Sequence, residues 1–469
     1  MFSVRLPFSS AAARVASSAL LSTLALAGCS PEQTPPAPAA GKADFSRHVA
    51  IGDNYLAGFS DGGLTASSQQ YSIAALLDQQ FALVSGQPST FTQPLFAPGT
   101  GTSFLLPRGF DANGVLLTSR TAAGRVARGS FINANACGGR DTTFLYLRAT
   151  NQLPQNLAVP FLRLTQIELA GLGNEANLQR IDQFNPFLER LLPAADNRTY
   201  LQAVTDGTAN ATFFTLFVGL GDVLPYILSG GECTTSNPNS AAIALMKTNV
   251  KKLLDKASDN GRRPGVISLA PQPVNQLPLL GRGSVVRVQA MVNATDTIYV
   301  QAPNAAGVVV VRPMAASNDY ILPTGLAQFG KPQLVTLPNG SQVTVRYGLS
   351  KRNPIKRVDV LDSGEYGRVN QAVTTINEEL VRLAKLYKLP IVGSDINVYD
   401  QIFKNIAVNG VVYTAEPGKG NFYSLDQYSL TPRGNAIMAN AMLREINRVY
   451  GASVPLLDPN TLPTTARQQ

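Results

Sequence analysis

Three aspartates stand where a carboxylate could take part in acid–base or acyl-transfer chemistry. Asp53 follows the apolar run from Phe45 to Ile51. Asp222 follows the run from Thr212 to Val218 and the turn Gly219-Leu220-Gly221. Asp426 lies in the loop Ser424 to Gly434. Acyl transfer to a hydroxyl needs a base that takes its proton, and imidazole is the usual one. The chain has a single histidine, His48, at the start of the first apolar run and at the end away from Asn54. His48 therefore reads as a structural strand residue. Asn54 offers an amide without useful nucleophilicity, and Gly221 a backbone N–H but no side-chain donor. Ser429 lies three residues after Asp426 with no base in reach, so a turn hydroxyl is its simpler reading. The three acids have an ordinary use as well, tying loop backbone at strand ends, and it ranks ahead of a catalytic one. The run Ser229-Gly230-Gly231 is a loop without phosphate-binding spacing, and the scarcity of histidine and cysteine argues against a metal site. No cofactor or metal is expected.

The elements that must position these residues follow from periodicity. The runs ending at Ile51 and Val218, together with 265–270 and 389–392, are short and continuously apolar, as in strands buried on both faces. Helical spacing marks 71–84 and 241–257. In 365–388, Val369, Val373, Ile376, Leu380, Leu383 and Tyr387 share one face. The last helix has Thr431 as N-cap, Pro432 at its first position and Gly451 past its end. This alternation predicts an α/β class fold, a three-layer α/β/α sandwich on a central parallel sheet. Two stretches break the rhythm: 86–154, read as an elaborated loop with short strands, and 272–360, read as a β-rich insertion with a hairpin turn at Pro338-Asn339-Gly340. Residues 452–469 read as a disordered tail.

The surroundings of Gly52-Asp53-Asn54-Tyr55-Leu56, Gly219-Leu220-Gly221-Asp222 and Asp426-Gln427-Tyr428-Ser429 resemble the SGNH/GDSL hydrolase family, particularly its bacterial outer-membrane lipoprotein branch. That family reads Gly-Asp-Ser-Leu, then Gly-x-Asn-Asp, then Asp-x-x-His. The likeness runs loosely from 45 to 451 and implies a flavodoxin-like sandwich. It places Asn54 at the nucleophilic serine, Gly221 at the oxyanion-hole asparagine, Ser429 at the catalytic histidine and Phe161 at the second-block glycine. Asp53, Asp222 and Asp426 remain. Loss of one oxyanion donor alone typically costs roughly 10²–10³ in rate. Four replacements at four functional positions imply a pseudo-hydrolase that binds a small-molecule, lipid or glycan ligand, or an envelope protein. The alternative is an active esterase, lipase or carbohydrate deacetylase working with non-standard residues.

The N-terminus bears on location. Arg5 and Arg14 precede an apolar stretch that ends in Leu26-Ala27-Gly28-Cys29, which resembles a lipobox. Residues 1–28 then form a removed signal peptide, Cys29 carries lipid, and the Pro/Ala-rich 29–44 is a tether. The lipid would hold the protein to the cell envelope, with the outer membrane favoured and the face left open. Cys137 and Cys233 remain, an even count that favours a disulfide over two buried thiols. The net charge of +9 becomes +7 without Arg5 and Arg14, and its spread argues against a nucleic-acid partner. If the lipobox reading holds, Cys29→Ser releases the body from envelope membranes or stalls processing. Mass spectrometry of the mature N-terminus checks it, and an unacylated start at any other residue refutes it.

Overall fold

In the computed structural model, residues 37–121, 127–134, 140–146, 148, 152–304, 306–314, 319–395 and 397–465 are described. Cys29, the leader and Cys137 lie outside the described residues. The central sheet has four parallel strands in the order β1 (His48–Gly52), β2 (Phe213–Phe217), β3 (Gly265–Ser268) and β4 (Ile391–Val392). Strands β1, β2 and β3 are buried at every position, which is why they read as unbroken apolar runs. On the free edge of β1 an irregular parallel segment, 155–159, takes up the remaining backbone groups. Ala50 N–H donates to Gln155 O at 2.9 Å, Leu157 N–H to Ala50 O at 2.8 Å and Val159 N–H to Gly52 O at 2.9 Å. The chain thus leaves β1 toward one side, returns, and continues on the other. The reversal point falls between β1 and β2, where open α/β sheets form a crevice beyond the strands' carboxyl ends.

Four long helices cover the sheet: α1 (Ile73–Ser85), α2 (Ser240–Ala257), α3 (Ser363–Tyr387) and α4 (Pro432–Tyr450). Helix α1 packs on α4, and α2 on α3. Phe81 of α1 and Tyr450 of α4 both meet the Phe213 ring of β2. Helix α3 starts at a capping box, in which Asp362 accepts from the N–H groups of Gly364 and Glu365, and Glu365 accepts from Asp362 N–H. It buries Val369, Val373, Ile376, Leu380 and Leu383; Tyr387 is half-exposed and donates to Asp255 at 2.6 Å. Together these elements make a mixed α/β fold with a central parallel sheet and small antiparallel sheets around it.

The excursion at 272–360 is mixed rather than β-rich. It holds two hairpins, Tyr299–Pro303 with Val309–Pro313 and Pro332–Thr336 with Gln342–Arg346, but also four helices of one turn or little more. Three of those open with proline at Pro273, Pro278 and Pro323, too short for a helical period to be read. Val300, Ile321, Phe329, Tyr347 and Ile355 give the excursion a small core of its own. In 86–154 the expected short strands include the hairpin Leu105–Phe110 with Leu116–Arg120.

The two segments expected to be loose are fixed to the body over the described residues. Val454 N–H donates to Asn447 Oδ1, Leu457 N–H to Asn440 Oδ1 and Arg433 to Leu462 O, so the chain past Gly451 runs back along α4. Its polar partners lie on the helix face, where periodicity of apolar residues gives no hint of them. The tether is held before position 45 as well, with Lys42 N–H on Tyr450 O at 2.8 Å and Ser453 N–H on Ala39 O at 2.9 Å. Helix α4 itself begins where Thr431 Oγ1 accepts from Gly434 N–H at 3.0 Å, while the same hydroxyl donates to Asn421 O. Thr431→Ala should destabilise the protein by about 1–2 kcal/mol, measured as a lower urea midpoint at unchanged slope.

Candidate active site

The carboxyl ends of β1 and β2 bring the first two motif segments together. Asp53 N–H donates to Phe217 O at 3.1 Å, and its Oδ2 accepts the Gly221 N–H at 2.9 Å. Asn54 begins a single helical turn, Asn54–Ala57, closed by Gly58 at φ +83°. The third segment reaches the same turn from α4's side: Tyr55 Oη donates to Tyr428 O at 2.6 Å and Ser60 Oγ to Leu430 O at 2.9 Å. Asn54, Gly221 and the backbone neighbour of Ser429 are thereby tied into one cluster.

Within it, Phe161 N–H donates to Asn54 Oδ1 at 3.0 Å. Phe161 lies in the left-handed region at φ +58°, a conformation glycine adopts without strain. Its ring packs edge-on against Phe59, 5.1 Å between centroids. The ring does not block the N–H; the Asn54 carboxamide holds it. At Gly221 a Cβ would come within 2.2 Å of Leu162 O, so the close approach of two backbones requires glycine there.

Asp426 is spent on loop backbone. Its Oδ1 accepts from Ser424 Oγ and from the N–H groups of Tyr428 and Ser429, and its Oδ2 from Gly62 N–H at 2.7 Å. Ser429 is completely buried, and its Oγ has no hydrogen-bond partner among the described residues. His48 sits at the opposite end of β1, roughly 13 Å along the strand, with Nε2 at 2.9 Å from Thr215 Oγ1 and its ring stacked on Phe91. The cluster therefore holds no imidazole. Cys233 is disulfide-bonded, and Cys137, the expected partner, lies outside the described residues.

Two features were not read from sequence. Four buried tyrosines, Tyr55, Tyr399, Tyr423 and Tyr428, surround the cluster, and burial pushes each hydroxyl well above its ordinary pKa. Tyr55 and Tyr428 flank motif residues, which was the available signal. The second is a groove of about 480 Å³ beyond the carboxyl ends of β3 and β4, lined by Leu269, Val381 and Ile391 as well as Gln272, Asn377 and Asp395. Gln272 Oε1 there is buried with no hydrogen-bond partner among the described residues. The groove draws on residues far apart in sequence, so no local motif announces it.

Asp53 and Asp222 are each about 1% exposed. Burial pushes the Asp53 carboxyl up to about 6, against the opposing pull of the Gly221, Leu220, Gly219 and Tyr55 N–H groups. Burial lifts Asp222 to about 7; the Asp53 charge adds to this, while the Leu164 and Thr165 N–H groups and Arg163 oppose it. Among the described residues neither Asp222 oxygen has a hydrogen-bond partner of good geometry. Both carboxyls bind protons more tightly folded than unfolded. Their contribution to stability is fully present below the unfolded value of 3.8 and is lost as pH rises through about 6 and about 7. Urea stability should accordingly fall between about pH 4 and about pH 7 and level off above, and Asp222→Asn should flatten that slope; an unchanged slope refutes the assignment. No protein-family model matches the chain, and neither a curated protein nor a solved structure does, so the reading of this cluster rests on its own residues.

Proposed function

We propose that the chain is a non-catalytic relative of the SGNH/GDSL hydrolases: a three-layer sandwich of flavodoxin-like strand order, held at the cell envelope, that binds rather than cleaves. The observation that carries the reading is the Asn54 side chain accepting the Phe161 N–H. In an acyl-transfer site that position offers a hydroxyl to the substrate and leaves the N–H open for the developing oxyanion. Here one carboxamide takes the place of both. The left-handed backbone at Phe161 and the reversal of strand order between β1 and β2 support the family likeness. The three aspartates fit a scaffold role, Asp53 and Asp426 through their backbone hydrogen bonds.

The rival reading, an ester hydrolase with unconventional residues, has Asp222 as its best acid or base at a pKa of about 7. That carboxyl is about 1% exposed, and Ser429 is fully buried, so neither meets a substrate without rearrangement. A binding role has open space to use in the groove beyond β3 and β4. The ligand class in this reading is a small molecule, lipid or glycan fragment, or an envelope protein.

Purified protein should hydrolyse p-nitrophenyl acetate no faster than a fold-matched inactive control, and Asn54→Ala should leave that background unchanged. Robust turnover by the unmodified protein overturns the proposal, and turnover that survives Asn54→Ala points to different chemistry. Rebuilding the family's residues is constrained: Asn54→Ser and Ser429→His place side chains at existing side-chain positions, whereas Gly221→Asn drives Cβ into Leu162 O.

A further inference from the structure

The lysines and arginines are spread along the chain, but the acids are sparse in the excursion. Residues 272–360 carry nine lysines and arginines against three aspartates, a net +6, whereas everything after residue 28 carries +7. Four of the nine cations are internally paired: Arg282 and Arg287 with Glu416, Arg312 with Asp319, and Arg357 with Glu232 and Glu365. The other five, Lys331, Arg346, Lys351, Arg352 and Lys356, are exposed and form no ion pair among the described residues. The excursion's three acids are fewer than these five cations. Asp319 and Asp359 are buried, and Asp296 accepts from the Asn293 N–H in its own turn.

Apolar side chains stand beside those cations. The outer strand Val309–Pro313 alternates exposed and half-buried, with Val309 50% and Val311 40% exposed, and Val308 just before it is 58% exposed. Its partner strand places Tyr299 opposite Pro313 and Gln301 opposite Val311 on the same side. Lys351 Nζ lies 5.8 Å from the centre of the Tyr299 ring. Backbone bonds bring the other cations close: Tyr299 N–H donates to Gly348 O, and Tyr347 N–H to Lys331 O. Three adjoining exposed valines on one arm of the hairpin and Lys351 over the Tyr299 ring on the other make a surface of two chemistries.

We propose that this hairpin face of the excursion docks on an anionic lipid bilayer. A bilayer offers both complements in one partner, phosphates for Lys331, Lys351 and Arg352 and an apolar layer just beneath them for Val308, Val309 and Val311. An acidic protein would answer the cations and leave the valines in water. The face contains none of the motif residues, so the proposal stands independently of whether the crevice is catalytic.

The test is flotation of the full chain with vesicles of phosphatidylcholine, with and without phosphatidylglycerol. Every variant shares the same N-terminus, so a lipid or leader there contributes equally to all of them. Binding should rise when phosphatidylglycerol is present and fall as salt is added. Replacing Lys331, Lys351 and Arg352 by glutamine should weaken it roughly fivefold per cation, about a hundredfold in all. Val309→Ser with Val311→Ser should weaken it at unchanged salt dependence. All five side chains are exposed, so melting temperatures should match the parent, which separates lost docking from lost folding. Equal binding to both vesicle types overturns the proposal, as does binding untouched by the three glutamines or by the two serines.

Discussion

The hydrogen bond from Gly221 N–H to Asp53 Oδ2 is the constraint around which the cluster is built. It fastens the turn after β1 to the turn after β2 just where the strand order reverses. Because Gly221 presses its α-carbon against the Leu162 carbonyl, the same contact fixes the loop that carries Phe161. Three segments widely separated in sequence are thus located by one carboxylate and one glycine. The carboxylate does this deep in the protein, next to a second buried acid, and so at the expense of its ordinary acidity.

On the proposed reading, the cluster has kept its scaffold and changed what the scaffold presents. Asn54 stands on the turn that Asp53 anchors, with its amide directed inward to a backbone donor rather than outward to a ligand. Asp426 likewise gathers four donors from residues 62, 424, 428 and 429, which orders the loop ahead of α4 without any imidazole to orient. The Asp426 carboxylate, with donors on both oxygens, favours a single arrangement of the loops it joins. Loops held this firmly can support an adjoining binding surface whether or not chemistry occurs at their centre.

Much of the architecture was legible in the sequence because burial writes itself into composition. Phe213-Phe214-Thr215-Leu216-Phe217 can be little else than a doubly covered strand, and Thr431-Pro432 with Gly451 brackets α4 by local rules at both ends. The 155–159 edge was not legible, since Pro154 and Pro160 bound a segment too short and irregular to show a period. The fixed chain past Gly451 depends on asparagines of α4 reaching sideways, a tertiary matter that local pattern does not carry. At the cluster, residue identities showed that no imidazole stands near Asn54 or Ser429. They could not show that Asn54 itself satisfies the Phe161 N–H, because that needs the distance between loops a hundred residues apart.

The bonds of Lys42 to Tyr450 and of Ser453 to Ala39 have a mechanical meaning. The chain enters the folded body beside the point where its last helix ends. The lead-in to β1 and the exit from α4 are therefore joined by main-chain hydrogen bonds before β1 begins. The clasp lies at the amino end of β3, where Tyr450 Oη also donates to Gly265 O at 2.8 Å, and so at the far end of the sheet from the crevice.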